Sequence, residues 1–143
     1  MGVGKSITEI EIGERASSVK TVGECDVYGF AGITGDFNPI HVNEEYAKTT
    51  RFGKRIAHGG LVLGLIAPAM GMQLPGLGTI ILDLYIRWKA PVYIGDTITA
   101  ELEVIDKDEA RNIVTFKCSW KNQDGTVVAE GKSKAMPPRK NQK

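Results

Sequence analysis

Histidine and cysteine are scarce in this chain, with two of each in 143 residues. Cys25 and Cys118 lie far apart and match no metal-ligand spacing, which argues against a zinc site and against a disulfide framework. Isolated thiols suit a reducing compartment, so the expected location is cytoplasmic. Excess charge of either sign is missing too: 18 Lys and Arg face 17 Asp and Glu, a net charge of +1. No overall field draws such a chain to nucleic acid or to a membrane surface. Long apolar runs are also absent. The longest, Leu61 to Ala69, is interrupted by Gly64 and Pro68 and falls short of the roughly 20 residues that cross a bilayer. The opening MGVGKSITEIEIG lacks the apolar core of a signal peptide.

What is present is an ordinary soluble composition, 42% hydrophobic and 24% charged. The length predicts one domain over residues 1–143, with a core over about 16–135 and a polar, flexible tail over 137–143. Two short N-terminal patterns lead nowhere. Met1-Gly2 with Ser6 fits N-myristoylation, and Gly4-Lys5-Ser6 fits the end of a P-loop, but the latter lacks its earlier glycine and its preceding strand.

Period-2 alternation dominates the C-terminal half. Ile80, Leu82, Leu84, Ile86 and Trp88 alternate with Asp83, Tyr85 and Arg87; Ile98, Ala100, Leu102 and Val104 alternate with Thr97, Thr99, Glu101 and Glu103. Val114, Phe116, Cys118 and Trp120 repeat the pattern, and Asp124-Gly125 signals a hairpin into a fourth strand, Thr126 to Ala135. That strand's inward set, Val127, Ala129, Gly131, Ser133 and Ala135, is small and admits a bulky neighbour. The neighbour expected is a helix from Gly59 to Met72, apolar on most sides and ended by Pro75-Gly76. Upstream, Thr21 to Glu24 reads as a capping box opening a short helix with Val27, Phe30 and Ala31 inward, and Asn43 as the cap of a helix from Glu44 to Lys48. The fold class is α+β: an antiparallel sheet wrapped around one apolar helix.

Between the two short helices lies Thr34-Gly-Asp-Phe-Asn-Pro-Ile-His41. Pro39 fixes its own φ and biases Asn38 toward extended backbone, so Asp36 and His41 sit on a stiff loop, and Gly35 permits close approach of a ligand. A carboxylate and an imidazole held a few ångströms apart can share one water molecule and act as a general acid/base pair. Ala57-His-Gly-Gly60 precedes the apolar helix, whose first N–H groups lack intrahelical partners. A glycine there lets a substrate carbonyl reach the backbone, giving an oxyanion hole in which a single donor is worth roughly 3 kcal/mol to a transition state. An acid, a base and a polarising donor suffice to add water across a double bond conjugated to a carbonyl.

The run Phe30-Ala-Gly-Ile-Thr-Gly-Asp-Phe-Asn-Pro-Ile-His41, with Ala47 beyond it and His58-Gly59 opening an apolar helix, resembles the hydratase-2 motif of MaoC-like (R)-specific enoyl-CoA hydratases. The resemblance extends from about Ala16 to Ala135. It implies a hot-dog fold, a homodimer or higher homo-oligomer, and reversible syn hydration of a trans-2-enoyl thioester of coenzyme A or acyl carrier protein to the (R)-3-hydroxyacyl thioester, as in fatty acid metabolism. No metal or redox cofactor is implied. Carried over, Asp36 and His41 hold and activate the water and the Gly59 N–H polarises the thioester carbonyl. Many relatives have a serine where this chain has Ala67, which puts one supporting hydrogen bond in doubt.

Blander roles compete at each position. Asp36 and Asn38-Pro39 are also ordinary turn residues; the combination with His41 and Gly59-Gly60 favours function. His58 and Asn38 read as support, through packing or hydrogen bonds. Gly60, Arg51, Lys54, Arg55, Arg87 and Lys89 are candidate substrate contacts, the cations because they suit coenzyme A phosphates, although each is equally a solvated charge. Trp88 and Trp120 read as core or dimer contacts. Alternative activities are a hot-dog thioesterase and a non-catalytic acyl-thioester-binding subunit.

Overall fold

A computed structural model describes residues 2–140. Five strands form one antiparallel sheet in the order β1-β3-β4-β5-β2: β1 Arg15–Thr21, β2 Ile80–Trp88, β3 Thr97–Asp108, β4 Ile113–Lys121 and β5 Val127–Met136. The central pair follows the alternation closely. Ile98, Ala100, Leu102 and Val104 of β3, and Val114, Phe116, Cys118 and Trp120 of β4, are all buried. Their outward neighbours are polar, so the sheet presents one apolar face, and the helical layer covers it.

β1 carries no alternation strong enough to reveal it. Its sequence RASSVKT is mostly polar because it is an edge strand with only β3 beside it. At the other edge, the expected buried face of β2 is buried only in part. Leu84 and Ile86 pack against the core, whereas Ile80, Leu82 and Trp88 are exposed. A register shift between Ile81 and Asp83 breaks the period, and only β5 flanks this strand. Gly131 of β5 is required by that pairing, since a Cβ there would lie 1.8 Å from the Tyr85 carbonyl oxygen. Its bulky neighbour is therefore β2 and not the helix; Ser133, by contrast, does meet the helical layer at Met70.

The first helix, α1 (Glu24–Thr34), starts later than expected. Thr21 ends β1, and Gly23 is the N-cap, its N–H donating to the Asp26 carboxylate at 2.8 Å. Val27 and Ala31 face inward with Phe30 half-buried. Asn38 caps α2 (Pro39–Val42), and Asn43 caps α3 (Glu44–Lys48) by accepting the Tyr46 N–H at 3.0 Å. The expected central helix is broken. α4 spans Gly59–Gly64, a turn follows at Leu65 and Ile66, and a π-helical turn occupies Ala69–Gln73. Pro68 cannot donate to the Gly64 carbonyl, which accounts for the break. One face, Leu61, Val62, Ile66, Ala69 and Met70, enters the core, while Met72 is exposed.

Of the expected flexible tail 137–143, Pro137 and Pro138 are buried, and Pro137 accepts a 2.9 Å hydrogen bond from Asn112. Lys140 pairs with Glu9, and residues 141–143 lie outside the described part. The Gly4-Lys5-Ser6 stretch is likewise structural: the Gly4 and Lys5 N–H groups donate to Leu77 and Pro75.

Candidate active site

The loop that carries the candidate acid/base pair is built by a chain of local hydrogen bonds. Gly35 ends α1 in the left-handed region at φ 79°, and its N–H returns to the Ala31 carbonyl. The Asp36 carboxylate accepts the Asn38 N–H at 3.2 Å, and the Asn38 side chain accepts the Ile40 N–H at 3.2 Å. Pro39 occupies the first turn of α2, where its missing N–H costs nothing. These bonds turn the chain so that Asp36 and His41 converge although five positions separate them.

His41 is buried and His58 more so, at 8% and 2% exposure. His41 Nδ1 lies 2.7 Å from the Ile56 carbonyl oxygen. A carbonyl only accepts, so Nδ1 carries the proton and Nε2 keeps its lone pair. By the same logic His58 Nε2 donates to the Asp36 main-chain oxygen at 2.9 Å. The two imidazoles stack with centroids 3.9 Å apart. A carboxylate oxygen of Asp36 and one nitrogen of each ring all lie within 4.8 Å of one another, a spacing that a single water or a divalent cation can bridge.

Burial holds the His41 imidazole below its ordinary pKa, with His58 pushing the same way; the Ile56 carbonyl and Asp36 oppose the shift. A neutral, base-competent ring thus persists to lower pH than in a free imidazole.

Gly59 is the first residue of α4, so its N–H has no intrahelical acceptor. Glycine there also has a steric reason. A Cβ at Gly59 would lie 3.0 Å from the Trp88 ring, whose indole N–H donates to the Gly59 carbonyl at 3.1 Å. Gly60 is also explained by an aromatic neighbour, since a Cβ there would fall 2.7 Å from the Phe30 ring. Trp88 and the Ile56 carbonyl are the parts sequence reasoning missed. An even position on an amphipathic strand hinted at Trp88 only as a core or dimer contact; nothing in a sequence marks one backbone carbonyl.

The candidate cations separate. Arg51 and Lys89 border a cavity of about 250 Å³ that also touches Gly59, Val62 and Trp88. Lys54 sits over the Tyr93 ring at 4.5 Å. Lys89 pairs with Glu130 at 2.8 Å. Arg87 belongs to the other, outer face of the sheet beside Tyr85 and Lys117. Arg55 is already engaged: it donates to Glu24 at the start of α1, to Glu44 at the start of α3 and to the Tyr28 hydroxyl, which leaves it a clamp on both flanks of the loop. Ala67 is exposed at the helix break.

Fold and site together define a hot-dog protein that sets an Asp/His pair beside a free backbone donor. The chain belongs to the family described as MaoC like domain, whose pattern matches residues 8–124. It is 45% identical over 130 residues to an (R)-specific enoyl-CoA hydratase of Rhodospirillum rubrum, covering 91% of this chain and 90% of that protein. A 3-hydroxyacyl-[acyl-carrier-protein] dehydratase of Solanum lycopersicum is 33% identical, covering 90% of this chain and 78% of the relative. Among solved structures, an unliganded R-hydratase from Pseudomonas aeruginosa superposes with a TM-score of 0.91 at 39% identity, covering 96% of this chain and 88% of the other. No helix among the described residues is long and apolar enough to cross a membrane.

Proposed function

We propose that this protein hydrates trans-2-enoyl thioesters to (R)-3-hydroxyacyl thioesters and catalyses the reverse dehydration. The observation that carries the reading is that a carboxylate oxygen of Asp36 and a ring nitrogen of His41 lie within 4.8 Å of each other, one water's span, while His41 Nδ1 sits 2.7 Å from the Ile56 carbonyl oxygen. The Gly59 N–H lies one residue beyond His58, which the ring contacts.

In the hydration direction the thioester carbonyl docks on the Gly59 N–H, which draws electron density from the β-carbon. Water held between Asp36 and His41 attacks that carbon and gives up a proton to the pair, with His41 Nε2 the lone pair placed to accept it. The electron pair of the double bond moves toward the carbonyl, and the pair returns one proton to the α-carbon. One water has then been added, and both new bonds form on the face that presents the Asp/His pair. That is syn addition. Asn38, Pro39 and Gly35 hold the loop, and no redox or metal step enters.

Arg51, Lys54 and Lys89 are the cations we retain as contacts for an anionic carrier, coenzyme A or acyl carrier protein; Arg55, engaged by two carboxylates, and Arg87, on the outer face, are set aside. We also propose a homodimer through β2. Its outer edge is unpaired, Ile80 and Tyr85 are about 60% exposed, and it ends at Trp88 beside Gly59, so a second copy would enclose the site. Cys25 and Cys118 are both free, in keeping with a cytoplasmic protein.

The test is loss of the enoyl absorbance of crotonyl-CoA with chiral analysis of the product and a parallel free-thiol assay. Formation of the (R)-alcohol without thiol release supports the proposal. Thiol release without the alcohol points to a thioesterase, and no reaction with coenzyme A or carrier-bound enoyl thioesters points to a binding subunit.

A further inference from the structure

The chemistry above uses one of the chain's two histidines. The other, His58, is an expensive residue to bury. Its Nδ1 has no hydrogen-bond partner although the residue is only 2% exposed, and an apolar side chain would have avoided that unsatisfied lone pair. His58 also occupies the N-cap of α4 without making a capping bond, a position that favours Ser, Thr, Asp or Asn. What it does instead is reach across the site. Its Nε2–H donates to the Asp36 main chain at 2.9 Å, its ring stacks on His41 with centroids 3.9 Å apart and tilts against Phe30 with centroids 4.8 Å apart, and its peptide supplies the Gly59 N–H.

We propose that His58 is a positioning residue: through its Nε2–H it ties the Asp36 main chain to the start of α4 beside the His41 ring, and so fixes the distance between the acid/base pair and the Gly59 donor. The kinetic part of this inference rests on the hydratase reading; the geometric part does not. A purely apolar packing role would use the ring and ignore the donor, whereas anchoring needs the Nε2–H. The titratable groups facing His41 are Asp36, which raises its proton affinity, and His58, which lowers it; removing His58 leaves only the former.

Two variants separate anchoring from packing. His58→Gln keeps an N–H donor near the Asp36 carbonyl and removes the ring; His58→Phe keeps a ring and removes the donor. Each is checked for fold and oligomeric state, then assayed with crotonyl-CoA. His58→Phe should lower kcat by about 100-fold with KM little changed, the scale expected for a misplacement of about 1 Å, and His58→Gln should retain most of the wild-type kcat. His58→Gln also leaves a single histidine, so ring nitrogen resonances in ¹⁵N-histidine-labelled protein report His41 alone. That ring should keep its Nδ1–H and titrate at higher pH than in the wild type.

Wild-type kcat in His58→Phe, equal losses in the two variants, or a His41 titration in His58→Gln that is unchanged or lower would each overturn the proposal. If His58→Phe does not fold, the kinetics and titration of His58→Gln decide by the same criteria. A wild-type protein inactive on every enoyl thioester would sink the hydratase reading, while the resonance comparison, which needs no turnover, would still decide whether His58 governs His41.

Discussion

Two segments make the site, and they contribute in opposite currencies. Gly35 to Asn43 supplies side chains: the Asp36 carboxylate, the His41 imidazole and the Asn38 amide that caps α2. Arg55 to Gly60 supplies mainly backbone and scaffolding: the Ile56 carbonyl that sets the His41 tautomer, the Gly59 N–H, and the Arg55 clamp on α1 and α3. On the proposed mechanism the first segment holds the reacting groups, and the second decides their protonation and spacing. Side-chain chemistry leaves a trace in sequence; a carbonyl that orients an imidazole leaves none.

If the division is right, substitutions in the first segment abolish chemistry and those in the second degrade it. Asp36→Asn and His41→Ala should each lower kcat by about 100- to 10,000-fold while circular dichroism stays native. Turnover close to wild type in either variant would remove that residue from the chemistry. Gly59→Ala keeps the N–H but displaces it through the crowded Trp88 contact, and should cost up to about 100-fold in kcat. Its methyl group would crowd the Trp88 ring at 3.0 Å, so a change in tryptophan fluorescence should accompany the loss. Unchanged kinetics with changed fluorescence would show that the methyl group disturbs Trp88 without moving the donor, and would leave the N–H without kinetic support.

A subtler effect concerns pH. Because His41 binds its proton less readily in the folded chain than in the unfolded one, its neutral form should survive below the ordinary imidazole value of 6.5. The acid limb of kcat/KM, measured on free enzyme and substrate, should accordingly fall below 6.5 if His41 is the base. Linkage has the same sign: the unfolded state takes up protons first, so the stability associated with neutral His41 is present above 6.5 and is lost as pH falls through the folded-state value. The smallest effect is expected at Arg55→Gln. Its partners Glu24 and Glu44 are 57% and 43% exposed at the side chain, so solvent discounts the pairs to about 1 kcal/mol in all, a Tm change of about 3 °C by calorimetry.

The same contrast explains what the sequence disclosed of the fold. β3 and β4 were legible because each is flanked on both sides and buries alternate residues completely. β1 escaped notice and β2 misled, because edge strands are freed from that constraint and a register shift at Ile81 further breaks the period of β2. Asn43 was a readable cap because a side chain makes the bond; the start of α1 at Gly23 was not, since Asp26 reaches back to the Gly23 N–H, two residues beyond the box that Thr21 and Glu24 suggested. Arg55 illustrates the limit on the site itself. Its charge suggested a phosphate contact, and only the fold reveals that two carboxylates distant in sequence already occupy it.

The most direct test of the central claim is hydration of crotonyl-CoA in D₂O, with the product's configuration and deuterium position read by chiral chromatography and NMR. One Asp/His-held water acting on one face requires the (R)-alcohol carrying a single deuterium at the α-carbon, syn to the new hydroxyl. An (S)-alcohol, or deuterium anti to the hydroxyl, would mean that the proton and the oxygen come from elsewhere than the Asp36–His41 pair.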